Sequence, residues 1–162
     1  MRLFGRRVPE VVAAVTLEPG ERRTAWGLTP AGEPVVATDR GLRLPGAACL
    51  DWPDVEKATW ARPMLTVVRV STVAGTGERR TVHLEQEGGL PDVVRGAVTD
   101  SVAWSSHYRL SPAGGVRVVG RRRPAAELLD WQLVYDPGTD LSDPLVQQQA
   151  GELLLSARRT VG

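Results

Sequence analysis

Between residues 34 and 71, apolar and polar positions alternate in short runs broken by turn residues. PVVAT (34–38) and GLRLP (41–45) flank Asp39-Arg40. Alternation sets Val35 and Ala37 on one face with Leu42 and Leu44, and leaves Val36, Thr38 and Arg43 on the other. A period of two over so few residues predicts an antiparallel hairpin with one buried face. The same reasoning predicts strands at 21–29, 48–52, 55–61, 64–71 and 79–87, with a glycine-containing loop at 73–78. Upstream, Pro9 in a tolerated first-turn position predicts a short helix to about Val15, with Val11, Val12 and Val15 facing a core.

After Gly88-Gly89 the period changes. Leu90, Val93, Val94, Ala97, Val98 and Val102 form one stripe of an amphipathic helix that should reach about Trp104. Pro91 and Asp92 suit its first turn. Gly96 costs about 1 kcal/mol there relative to alanine, which predicts close packing at that position. Strands follow at 106–111, 116–123 and 127–136, the last with Leu129, Trp131, Leu133 and Tyr135 on one face. Asp143 then caps a helix from Pro144 to about Arg159.

The segments GERRTAW, VVATDRGLRLPG and LDWPDVEKATW, together with the helix after the seventh strand, resemble bacterial pleckstrin-homology-like proteins of the actinobacterial type. The resemblance spans roughly residues 17–105. It implies two near-orthogonal β-sheets with a helix plugging one open end. The expected fold class is therefore α+β. A pleckstrin-homology-like antiparallel barrel with its capping helix (1–105) is extended by a three-stranded meander and a helix (106–162). The second piece is near the lower size limit for folding alone, so it should pack on the first.

At 162 residues, with 42% hydrophobic and 24% charged residues, the chain can bury a real core. A net charge of +1 argues against a general polyanion binder. Lys57 is the only lysine among 20 basic residues and asparagine is absent, a bias that GC-rich coding explains. Cys49 is the only cysteine, which excludes an intramolecular disulfide and a cysteine-based zinc site, and fits a reducing cytoplasm. Between Ala48 and Leu50 it is expected to be a small buried apolar residue. No apolar run approaches the ~20 residues of a membrane span. The N-terminus lacks the pattern of a signal peptide. Arg2, Phe4, Arg6 and Arg7 could touch a membrane surface, but the helix that follows is too short for a strong anchor.

Catalytic patterns are thin. His83 and His107 are the only histidines, His83 is expected to point to solvent, and neither has a ligand spacing. No nucleophile elbow or phosphate-binding glycine loop is present. Asp136, Asp140 and Asp143 lack EF-hand spacing, and turn formation and helix capping account for two of them. No metal or cofactor is expected.

The strongest charge feature is basic. Arg109, Arg117, Arg121, Arg122 and Arg123, with His107, are candidates for anion or nucleic-acid contact on the hairpin at 107–123. The order α-β-β-β-α from residue 90 onward also resembles a double-stranded-RNA-binding domain. Where such domains open their second helix with lysines, this chain has Gln147, Gln148 and Gln149. The phosphoinositide loop of the pleckstrin-homology relatives corresponds to PAGEP, with Glu33 and no cation, which argues against a lipid headgroup site. Of five tryptophans, Trp60 and Trp131 are the candidate interface anchors, and the rest are expected to fill the core.

The leading expectation is a non-enzymatic cytoplasmic interaction module that binds a protein partner or itself through exposed strand edges. The alternatives are RNA binding through the basic hairpin and an enzyme with an unrecognised site.

Overall fold

The β-branched runs form strands and the 3.6-period stripes form helices. The computed structural model describes residues 7–71 and 77–162. The elements are α1 (Glu10–Ala13), β1 (Arg23–Leu28), β2 (Pro34–Thr38), β3 (Gly41–Arg43), β4 (Leu50–Asp51), a 3-10 turn (Trp52–Asp54), β5 (Val55–Ala61), β6 (Met64–Arg69), β7 (Arg79–His83), α2 (Leu90–Ser101), β8 (Val102–Arg109), β9 (Gly115–Arg121), β10 (Asp130–Tyr135) and α3 (Pro144–Val161). They make three antiparallel sheets, ordered β1-β2-β3-β4, β5-β6-β7 and β10-β9-β8. The chain is thus a mixed α+β protein with a C-terminal helix. None of its described helices is long and apolar enough to cross a membrane. Arg2, Phe4 and Arg6 lie outside the described residues, as does most of the loop expected at 73–78.

The expected hairpin pairs Ala37 with Leu42. At its tip the Thr38 hydroxyl oxygen accepts from the Arg40 and Gly41 amides, and the Trp52 indole donates to the Thr38 carbonyl at 2.9 Å. Gly41 is required there: an added Cβ would meet the Leu50 carbonyl oxygen at 2.4 Å. Val35, Ala37, Leu42, Trp52, Val55, Leu65, Val67 and Leu84 then join Leu90, Val94 and Val98 of α2 in one core between the first two sheets. The sheets meet at a corner, where the Leu28 amide donates to the Gln86 carbonyl and the Glu85 amide to the Leu28 carbonyl. Each fully buried Val or Leu contributes about 1.5–3 kcal/mol, whereas an exposed pair such as Arg80–Glu78 contributes about 0–1 kcal/mol. Apolar burial therefore holds this part of the chain.

Several expectations need correction. Val36 was placed on a polar face, yet it is fully buried, because α1 packs on that side of β2 with Val12, also fully buried. Val11 does not join it and is 40% exposed. Cys49 is exposed, with its sulfur 3.9 Å from Asp51 Oδ1. The helical stripe stops at Ser101 instead of reaching Trp104. β8 begins at once, and Val102 pairs with Arg121 and Trp104 with Gly120. Extended pairing along eight residues outweighs the helical register that Val102 would continue.

In the third sheet Val116, Tyr108, Leu133 and Tyr135 take the apolar side of α3, through Val146, Ala150 and Leu153. Asp143 caps α3 by accepting from the Leu145 amide at 2.9 Å. At the other end of the same face Trp104 and Trp131 pack with their rings tilted by 58° and centroids 5.7 Å apart.

One buried charge carries a pH dependence. The Glu21 side chain is inaccessible to solvent and pairs with Arg43 at 2.6 Å. Burial alone would raise its pKa. Hydrogen bonds from the Thr38 hydroxyl and the Glu18 amide, with the Arg43 guanidinium, outweigh burial and hold it below its ordinary value. A depressed carboxylate stabilises the fold above the ordinary carboxylate range, and that contribution is lost as pH falls through the lower folded value. Glu21→Gln should cost about 1–3 kcal/mol at neutral pH. In urea unfolding at a series of pH values it should also lose less stability on acidification than the wild type. Equal acid losses in the two proteins would show that Glu21 is not held ionised.

Candidate functional site

Arg121 is the last residue of β9, Arg122 and Arg123 follow it directly, and each of the three reaches a different place. Arg121 is 3% exposed. Its guanidinium donates to Ser101 Oγ at 2.7 Å and to Gln132 Oε1 at 3.0 Å. Burial lowers its pKa, against the opposing pull of Glu56, Asp130 and Asp54, but a guanidinium in a protein stays charged. Arg122 donates from Nη1 to the carbonyls of Asp100 and Val102. It thereby supplies a cation to the end of α2, whose own last turn has none. Arg123 sits among Asp54 at 2.9 Å, Asp130 at 2.7 Å and Asp51 at 3.6 Å. The hydrogen bonds it donates to Asp54 and Asp130 raise its pKa above the ordinary value.

Asp51 and Asp54 belong to β4 and the 3-10 turn, and Asp130 to β10, so Arg123 joins the first sheet to the third. Gln132 adds a hydrogen bond from Nε2 to the Pro53 carbonyl at 2.8 Å. The triplet is therefore a structural joint. The one-sided cationic surface expected of the hairpin is divided: Arg121 is enclosed and Arg123 is matched by carboxylates.

Arg109 and Arg117 remain exposed on the face of His107. There His107 Nε2 lies 2.8 Å from Asp136 Oδ2, and Arg117 reaches Ser105 Oγ at 3.4 Å. His83 is exposed on β7. Asp140 bonds the amide and hydroxyl of Ser142, and no group of three or more His, Cys, Asp or Glu able to hold a metal occurs among the described residues. Trp60 is half-buried against the main core, and Trp131 is half-buried against Trp104.

The joint forms one wall of a cleft. Thr24, Thr38 and Asp39 from the first sheet, Trp52 and Pro53 from the 3-10 turn, Val93, Gly96, Ala97, Asp100 and Ser101 from α2, and Arg122 to Pro124 surround about 480 Å³. Its floor is apolar: Trp52, Pro53, Val93 and Ala97. Gly96 faces the opening, and an added Cβ would meet nothing within 4 Å. The close packing expected at Gly96 is not found, because the neighbouring elements stand back from it. Asp39 accepts from the Arg22 amide at 2.9 Å, a hydrogen bond that holds its carboxyl below the ordinary range. Among the described residues no side-chain partner meets the Asp100 carboxylate.

Sequence reasoning did not single out Asp39, Trp52 or Asp100 as site residues. The available signal was Gly96, a helix-weakening residue beside an otherwise continuous stripe. No protein-family model, curated protein or solved structure matches the chain.

The division of roles among the arginines can be measured. Arg121→Ala should lower stability by about 3 kcal/mol, since it leaves a buried hydroxyl and a carboxamide oxygen without their donor. Arg109→Ala and Arg117→Ala should each stay within about 0.5 kcal/mol of wild type. Urea midpoints check this, and equal costs at Arg121 and Arg117 would contradict the assignment.

Proposed function

We propose that the chain is a non-enzymatic interaction module of the cytoplasm, with a pleckstrin-homology-like arrangement, that takes a segment of a protein partner into the cleft beside α2. The order of elements supports the fold part of this reading. Four antiparallel strands and then three enclose one core, and the helix that follows packs on both sets. A single bridge between Leu28 and Gln86 joins the two sheets at one corner, which suits it as well. The single observation that carries the binding part is the open cleft, with an apolar floor and a helix that presents glycine to it. An exposed apolar recess with a polar rim is the usual form of a binding site. His83 and His107 do not line it, Arg122 caps the end of α2, Arg123 is ion-paired in the joint, and Asp39 pairs with Arg22.

Gly96→Leu tests the reading. Leucine is favoured over glycine in a helix by nearly 1 kcal/mol, and its side chain enters open space, so the variant should fold while filling the recess. Proteins retained by immobilised wild type and lost with Gly96→Leu, at equal helical content by circular dichroism, are the expected result. Light scattering on both proteins identifies a second copy as the occupant if a wild-type dimer dissociates in the variant. Identical retention and identical mass for the two proteins would sink the proposal.

A further inference from the structure

The second sheet has an open edge along β7, remote from the residues that line the cleft. We infer that this edge accepts an extended acidic segment of a protein partner, which adds to the β5-β6-β7 sheet as a fourth strand and sets a carboxylate beside Arg79. The surface is separate from the cleft and does not rest on it.

β7 pairs with β6 on one side only. The Arg69 amide donates to the Glu78 carbonyl and the Leu84 amide to the Pro63 carbonyl, both at 2.8 Å. In an antiparallel ladder, residues that exchange such bonds alternate with residues that do not. Arg80 and Val82 therefore direct their backbone groups toward β6. Those of Arg79, Thr81 and His83 point outward, where no described residue meets them. A row of this kind is the template to which an extended peptide adds. The side chains of the same three residues lie on the solvent face of the sheet and are exposed, so an added strand would place its alternate side chains beside them.

Charge then selects the occupant. From Val55 to His83 the chain holds five cations, Lys57, Arg62, Arg69, Arg79 and Arg80, against two acids, Glu56 and Glu78. Glu78 is paired with Arg80 at 2.8 Å, and Glu56 stands on β5, at the far edge, where it acts on Arg121. Just beyond the sheet, Glu87 is paired with Arg62, and Glu85 follows Leu84 where the chain has turned to β1. Lys57 and Arg79 flank Val68 on the solvent face with no acidic partner among the described residues. Full antiparallel overlap with a second copy of β7 would set Arg79 opposite His83 of that copy and add two more arginines to the ladder, with no acid in either strand to meet them. A nucleic acid cannot continue a strand ladder, and the solvent face offers it no Phe, Tyr or Trp for base stacking. An acidic strand meets both the unpaired backbone row and Arg79.

Three capped peptides on the full chain test this: acetyl-Glu-Val-Glu-Val-Glu-amide, acetyl-Gln-Val-Gln-Val-Gln-amide and acetyl-Lys-Val-Lys-Val-Lys-amide. Binding is read at the β7 amides in nitrogen–proton correlation spectra, by shift and by exchange with water, at low and at high salt. The glutamate peptide should slow exchange at Arg79, Thr81 and His83 and leave the already bonded Arg80 and Val82 amides unchanged. It should bind about tenfold tighter than the lysine peptide at low salt, a difference of about 1.4 kcal/mol, and the gap should narrow at high salt. Arg79→Glu should erase or reverse that preference. Thr81→Pro removes an outward amide without breaking a bond to β6, a change that edge strands tolerate, and should abolish binding at unchanged circular dichroism. Gly96→Leu, which fills the cleft, should leave all of this unaltered. Equal or tighter binding of the lysine peptide overturns the inferred acidity of the partner. No slowing of the outward amides with any peptide overturns the edge itself, and so does a wild-type dimer in light scattering that Thr81→Pro dissociates, which would put a second copy there.

Discussion

Three guanidinium groups in sequence at the end of β9 hold the relation between the first sheet, α2 and the third sheet. Arg121 is the last residue of β9 and Arg122 and Arg123 leave the strand, so one run serves three destinations. Arg121 enters the interior toward Ser101 and Gln132, Arg122 closes the end of α2, and Arg123 reaches the carboxylates of β4, the 3-10 turn and β10. Because β8 follows α2 with no linker, its partner strand β9 brings these groups back to the helix end. The first two sheets share one apolar cluster and the third has its own with α3, so the arginines do not create the two cores. They fix how the cores sit against each other.

That placement also makes the cleft. The third sheet is anchored at Pro53, Asp54 and Ser101, and the space between these anchors and α2 stays open, with Gly96 left uncovered. Small residues on the helix and a rigid indole underneath give a recess whose floor is set by the first core and whose rim is set by the joint. Recognition and architecture therefore depend on the same side chains. A substitution in the joint would change both, whereas Gly96 and Asp100 can be varied without touching it.

Much of the fold was legible in the chain. Alternation, β-branched runs and turn residues placed every strand to within a few residues, and the caps at Pro91 and Asp143 located both long helices. Errors came where long-range pairing decided the outcome. Val102 and Trp104 suit a helical stripe as well as a strand, and only the partner strand at Gly120–Arg121 settles it. Val36 looked solvent-facing because the residue that covers it, Val12, lies more than twenty positions away. The arginine triplet read as a phosphate-attracting cluster because local sequence shows charge density and not the matching acids. Asp51 and Asp54 are about seventy residues upstream of Arg123. Site legibility was correspondingly poor. Asp39, Trp52 and Asp100 come from three separate segments, and none carries a spacing that announces a shared cleft.

Native-state hydrogen exchange reads the joint most directly, by comparing the amides of Leu65–Val67 in β6 with those of Val116–Val119 in β9. In the wild type both sets should open at the same free energy, because the joint makes the two cores one cooperative unit. In the double variant Arg121→Ala, Arg123→Ala the β9 amides should exchange well before those of β6. Unchanged protection of both sets in that variant would contradict the central role given to the arginines.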